Sequence, residues 1–290
     1  MNRLSAKSSY AQKKKPDVLS TDKGWPQRFA FAAKDIADGL KMWRLVWVLS
    51  FSDIKLRYRG SVLGPFWMTL STGVQIAGMG FVYSYLFKTD TTTYLPYLAI
   101  SMIMWGYMCS LISDGCTCFT QSDFLIKGTR IPFSVYAARN IIRNTIILGH
   151  NVLVIIAVFA IMKFHVTLFA LYAIPVLLLW MVNGFFISLL CGALCARFRD
   201  VTQIIASVIQ IAFFITPIMW FAHDFRTNSA AKVILIYNPF YYMLEILRTP
   251  VFSGSMDTQT LIISLLISAA LAVLSFVAFA RTRGRIAFWI

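Results

Sequence analysis

The stretch Arg57-Tyr58-Arg59-Gly60-Ser61-Val62-Leu63-Gly64-Pro65-Phe66-Trp67 separates two chemical regimes. Upstream of it the chain is basic and mixed; downstream an uncharged run extends from Pro65 to Phe87. About 20 apolar residues at ~1.5 Å rise cover the ~30 Å hydrocarbon core of a bilayer, so this run is long enough to cross one. Arginines on one side and an aromatic pair on the other are how a helix entering a membrane is marked. Pro65 suits the first turn of the new helix, where its missing N–H would be unbonded in any case. Gly60 and Gly64 allow a sharp turn just before it. The stretch reads as a hinge between a segment lying on a membrane and one crossing it.

Composition agrees. The chain is 58% hydrophobic and 13% charged, with a mean hydropathy of +0.69, values outside the range of a soluble domain of this size. The expected fold class is an all-α, polytopic membrane protein. A net charge of +15 raises nucleic acid as a partner, but the distribution of the basic residues argues against it. The five cysteines, Cys109, Cys116, Cys118, Cys191 and Cys195, lie in or beside apolar runs and are odd in number, which is no disulfide framework. Cys116-x-Cys118 lacks both the spacing and the His partner of a zinc site, so no metal is expected and the thiols read as small buried hydrophobes.

Three regions follow in order. Residues 1–34 form a basic tail around Lys13-Lys14-Lys15-Pro16, with no apolar core of signal-peptide type after the early charges. In residues 35–64, Ile36, Leu40, Trp43, Trp47, Phe51, Ile54 and Tyr58 recur at steps of three and four. Asp38, Lys41, Arg44, Ser52, Lys55 and Arg59 lie off that stripe. This is either an amphipathic helix in the membrane plane or one packed on another protein. In residues 65–290 six uncharged runs are long enough to span: Pro65–Phe87, Thr91–Ser113, Asn144–Met162, Val166–Ala196, Val201–Ala222 and Thr258–Ala280. Between the last two, residues 233–247 are apolar but broken at Asn238-Pro239 and bounded by Arg248-Thr249-Pro250. Each half is too short to cross, which predicts a re-entrant or interfacial hairpin. With the N-terminus inside, 22 of the 27 Lys and Arg fall on the cytoplasmic side, both termini included. The positive-inside rule is satisfied, and the net charge is explained without nucleic acid.

Chemistry is sparse. No G-x-x-x-x-G-K-[ST] loop occurs, so ATP hydrolysis is expected in a separate subunit. Asp114 is the main intramembrane acid and Glu245 the only Glu. Asp114 with His150 is the one candidate proton-carrying pair, against which stands a polar helix end and a hydrogen-bonded core His. No nucleophile sits in a recognisable catalytic setting, and the paired acids of a lipid-linked glycosyltransferase are missing. Two short cytoplasmic segments, Ser122–Phe133 and Ala196–Val201, mix charge with apolar residues in the manner of helices that dock into a partner's groove.

These features carry a resemblance. The Arg57–Trp67 stretch resembles the entry motif of ABC-2-type polysaccharide export permeases, and Arg197-Phe198-Arg199-Asp200 resembles their second coupling turn. Thr216-Pro217-Ile218-Met219-Trp220 and Asn238–Arg248 resemble the end of their fifth span and their periplasmic gate hairpin. Within the family the chain is most similar to the O-antigen exporters. Leu70-Ser71-Thr72-Gly73, where many members carry a proline, weakens assignment to the capsule or teichoic-acid branches and not to the family.

The resemblance implies a homodimer in the bacterial inner membrane, each subunit engaging one of two ATPase subunits that bind ATP and Mg. Its cargo would be an undecaprenyl-diphosphate-linked glycan. Asp123, Lys127, Arg130, Arg197, Arg199 and Asp200 become the candidate coupling residues, and Arg57 and Arg59 candidates for meeting the diphosphate. Phe66, Trp67, Phe81, Tyr83, Tyr85, Trp105 and Tyr107 offer faces for a sliding sugar chain, with lipid-facing belts as the competing use. Asn238, Pro239, Tyr241, Tyr242, Glu245 and Arg248 would form the gate. An exporter of a small molecule or another lipid, or of a capsule or teichoic-acid type glycan, is the alternative.

Overall fold

The computed structural model describes residues 24–64, 66–222 and 229–290, with the side chains of 229–232 left aside. Among them there are twelve α-helices and no strand. They are α1 (Trp25–Lys41), α2 (Trp43–Arg57), α3 (Phe66–Phe87), α4 (Thr91–Thr117), α5 (Asp123–Gly128) and α6 (Phe133–Ile161). Then come α7 (Ala173–Arg197), α8 (Asp200–Ile215), α9 (Ser229–Tyr237), α10 (Pro239–Ser253), α11 (Thr258–Thr282) and α12 (Ile286–Trp289). Most of the basic tail expected over residues 1–34 lies outside the described residues.

Among the described residues four helices are long and apolar enough to cross a membrane: α4, α6, α7 with the short turn before it, and α11 continued to Trp289. The other two expected spans are helical as well. However, α3 carries Thr69, Ser71, Thr72 and Gln75 among its apolar residues, and α8 has only 16 residues. Several helix boundaries depart from expectation. The run from Asn144 begins at Phe133, so Arg139 and Arg143 stand inside α6 and not in a loop. The run from Val201 ends at Ile215, before Thr216-Pro217, because a residue ahead of proline is pushed out of the helical region. By contrast, α10 passes through Pro250, whose ring is buried, and stops at Gly254 in the left-handed region.

α4 is the central element, buried along most of its length and packed by α7, α6, α3, α10 and α8. Small residues let α4 and α7 approach closely: Gly115 meets Ser188, and Gly184 meets Leu111. Asp90, Asn238 and Asp257 cap α4, α10 and α11 by accepting from backbone amides of the first turn. The Thr92 and Thr260 hydroxyls hold the Asp90 and Asp257 carboxyls below the usual carboxylate range. Gly60 and Gly64 both adopt positive φ (85° and 55°), the conformation that the turn before α3 requires.

The helix expected from Asp35 to Tyr58 is two helices, starting at Trp25 and interrupted at Met42. Of the apolar stripe expected to face a membrane or another protein, Leu40, Trp43, Trp47 and Phe51 are exposed and Ile54 is buried; Ala32, Asp35, Gly39, Val46 and Ser50 are buried besides. On the buried side, polar contacts meet the first turns of α6. Asp35 accepts from the amides of Phe133 and Ser134 at 3.3 and 3.0 Å, so a carboxylate from α1 caps α6. Gly39 leaves room for Ser134, whose hydroxyl donates to the Asp35 carbonyl at 2.7 Å.

Candidate functional site

Two ends of the bundle carry the functional candidates. At the basic end a compact apolar cluster joins five segments. Ala32 comes from α1, Cys118 and Phe119 from the α4–α5 link, Tyr136 and Ala137 from α6, Leu189 and Ala193 from α7, and Phe279, Ala280 and Ile286 from α11–α12. This cluster fixes α5 and the α7–α8 turn side by side. Asp123 and Arg199 line one cavity of about 290 Å3, together with Thr120, Cys195, Thr202 and Ile290. Asp123 is paired with Lys127 at 2.7 Å, and Arg130 is exposed beyond it. The guanidinium of Arg197 lies 4.9 Å from the Phe198 ring and 5.4 Å from the Trp289 ring. Asp200 opens α8 and is exposed, where its charge favours the positive helix N-terminus.

Behind this face lies a polar network that the sequence reading did not contain. Asp53 on α2 is held by Arg139, whose Nε donates at 2.7 Å and whose second contact comes from Nη2. Arg143, one helical turn on, reaches Asp53 at 3.3 Å and Asp114 on α4 at 2.7 Å. Asn144 also donates to Asp114, at 3.0 Å, and Asn140 donates to Ser188 on α7 at 2.8 Å. Asp114 is therefore an ion-pair partner, and His150 bonds the Ile146 carbonyl of its own helix. The two do not form a proton-carrying pair. The visible signal was the i, i+4 spacing of Arg139 and Arg143, once α6 is started at Phe133.

Arg57 ends α2 and Arg59 stands in the turn to α3; both are exposed and neither joins an ion pair among the described residues. Of the candidate aromatics, Phe66, Trp67, Phe81 and Tyr85 are exposed on α3, and Tyr83 is half-buried and stacked on Phe87. Trp105 and Tyr107 are buried. Trp105 packs on Phe213 and Phe240; Tyr107 stacks on Trp180 and bonds Thr145 at 2.9 Å. In this arrangement both pack within the bundle, Trp105 against α8 and α10 and Tyr107 against α6 and α7.

At the opposite end the helix break after α8 is pinned by side chains. Arg248, fully buried on α10, donates to the Pro217 carbonyl at 2.5 Å, the Tyr97 hydroxyl at 2.7 Å and Ser101 at 3.1 Å. It pairs with Glu245 at 2.6 Å. Asn238 caps α10 and donates to Thr216 at 2.9 Å, tying the α9–α10 corner to the same break. Pro239 opens α10 and is exposed, while Tyr241 and Tyr242 are half-buried neighbours in edge-to-face contact.

Residues 44–252 match a family model described as ABC-2 type transporter. The chain belongs to that family. Similar chains within it include an O-antigen export system permease protein RfbA of Klebsiella pneumoniae, 24% identical over 84% of this chain and 93% of its own length. A second protein of that name and organism is 22% identical over the same shares. One from Myxococcus xanthus is 20% identical over 64% of this chain and 72% of its own. An ABC-2 permease is a membrane-embedded transporter component, which agrees with the apolar helices and the missing phosphate loop.

Proposed function

We propose that this chain is the permease subunit of an ATP-driven exporter, moving an undecaprenyl-diphosphate-linked glycan of O-antigen type from cytoplasm to periplasm. Two copies form the conduit in the bacterial inner membrane, and two separate ATPase subunits, binding ATP and Mg, dock on the basic end. In this reading α3, α4, α6, α7, α8 and α11 are six spans, both termini are cytoplasmic, and α9–α10 is the periplasmic gate hairpin.

The observation that carries the conduit is α8. None of its side chains is buried, and Gln203, Ser207 and Gln210 are exposed at steps of four and three. Polar side chains inside a membrane face the bundle interior or a water-filled cavity, because lipid offers them no partner. A single copy leaves this stripe uncovered, so a second copy and a wet path between the two supply what α8 lacks. The exposed rings of Phe66, Trp67, Phe81 and Tyr85 add flat faces that grip sugar C–H surfaces without fixing one hydrogen-bond register.

The deciding experiment is deletion and complementation. Loss of the chain should abolish surface glycan and leave the lipid-linked glycan on the cytoplasmic leaflet, with restoration requiring both permease and ATPase. Unchanged surface glycan alongside lost efflux of a small molecule or another lipid would transfer the chain to that class of exporter.

Docking at the basic end carries its own prediction. Asp123 and Asp200 lie on segments tied at both ends to membrane helices, so they can transmit a rigid-body movement. The double reversal Asp123→Lys, Asp200→Lys should abolish ATP-dependent export while membrane level stays normal. Export at the wild-type rate would move the contact elsewhere.

Arg57 and Arg59 stand where a lipid diphosphate would approach from the side, and a guanidinium fork suits its oxygens. Charge-assisted hydrogen bonds contribute on the order of 1.5–3 kcal/mol each. Arg57→Ala with Arg59→Ala should therefore slow export by well over tenfold, at ~1.4 kcal/mol per decade. Unchanged surface glycan at matched protein level would reduce the pair to membrane anchors.

A further inference from the structure

Residues 283–290 turn back across the basic end after α11 and are held there at three points. Arg283 Nε donates to the buried Asp35 carboxylate at 2.7 Å. Ile286 is fully buried in the small apolar cluster. Trp289 places its ring 5.4 Å from the Arg197 guanidinium. Arg197 closes α7, Phe198 is the extended residue that separates α7 from α8, and Asp200 opens α8. Phe198, Arg199 and Asp200 are exposed, and Arg199 has no ion pair among the described residues. The contact with Trp289 ties this turn to a segment outside α7 and α8. Ile290 then continues the wall of the cavity shared by Asp123 and Arg199.

We propose that residues 283–290, acting through Trp289 on Arg197, position the Arg197–Asp200 turn for docking of the ATP-hydrolysing subunit, which makes this segment a third part of the coupling face. The inference rests on the docking role given to that face above. Trp289 is a positioning residue: an aromatic face restricts a long, freely rotating cation, and through it the backbone at the end of α7. Contacts of this kind at partly exposed sites correspond to a roughly two- to fivefold change in an equilibrium.

The test uses the full-length permease in nanodiscs and the ATP-hydrolysing subunit co-expressed with it. Affinity is read by titration, and the stability of the permease alone by its thermal midpoint. Trp289→Ala and Arg197→Gln should each weaken association about two- to fivefold. The double variant should be no worse than either single one, and Trp289→Phe should retain most of the affinity. Trp289 also packs against the small apolar cluster, so Trp289→Ala should lower the midpoint of the permease alone, whereas Arg197→Gln should leave it constant and still weaken association, which a purely structural role would not allow. If Trp289→Ala does not accumulate, Arg197→Gln at its exposed position carries the comparison. Additive losses in the double variant overturn the proposal, as does unchanged affinity in both single variants when the Asp123→Lys, Asp200→Lys protein binds weakly; the docking face then stands without it. Unchanged affinity in that double reversal as well removes the docking face, and this inference with it.

Discussion

Asp53→Ala is expected to destabilise the protein by about 3–5 kcal/mol, the cost of leaving a buried charge without its partner. The side chains of Asp53, Arg139 and Arg143 are 14%, 19% and 11% exposed, so water cannot replace what is lost. Arg143 retains Asp114, but Arg139 has no second carboxylate among the described residues. The loss falls on the packing of α2 against α6, the contact that holds the exposed faces of Trp43, Trp47 and Phe51 in place. The check is unfolding of the purified protein in detergent, followed by the signal of the α2 tryptophans. Asp53→Leu combined with Arg139→Met should recover most of the stability, since an apolar pair of similar volume replaces a buried ion pair at little cost. A single Asp53→Ala variant as stable as wild type would show that solvent already screens the network.

How far the sequence led can be judged from particular residues. The helical class, the turn at Gly60 and Gly64, and the corner at Asn238 were legible, because each depends on local chemistry: apolar run length, positive φ and side-chain capping. The apolar stripe of α1 and α2 was legible as one face, and Leu40, Trp43 and Trp47 stand exposed, but the polar contacts behind it were not: Asp35 and Asp53 turn inward toward an amide pair and two guanidiniums that lie far along the chain. The same limit explains Trp105 and Tyr107. Nothing local distinguishes an aromatic in a packed span from one on a path; the distinction is made by α6, α7 and α10 closing around α4. The apposition of Asp123 with Arg199 joins positions far apart in sequence, and only the shared cluster beneath them brings the two turns together.

Arg248→Ala is expected to be the second large loss, also about 3–5 kcal/mol, and for a different structural reason. The α8 helix ends at Ile215 and leaves the carbonyls of residues 216–220 to find partners within a mostly apolar surrounding. The Pro217 carbonyl receives the Arg248 guanidinium, the Tyr97 hydroxyl lies 2.9 Å and 3.0 Å from the Pro217 and Trp220 carbonyls, and Tyr94 donates to Met219 at 2.6 Å. Alanine at 248 removes the cation that organises this set and leaves Glu245 unpaired beside it. A buried donor or acceptor stranded in this way costs ~1–3 kcal/mol, more where charge is involved. Arg248→Lys should recover only part of the loss, because an ammonium on a flexible stem cannot serve Pro217, Tyr97, Ser101 and Glu245 from one planar fork. Hydrogen exchange separates local from global damage. The Arg248→Ala protein should show faster exchange at residues 216–220 and at the start of α10, with α5 and the α7–α8 turn unchanged. Uniform acceleration across both ends would mean that Arg248 supports the whole bundle, and unchanged exchange at 216–220 would mean that the tyrosines alone hold the break.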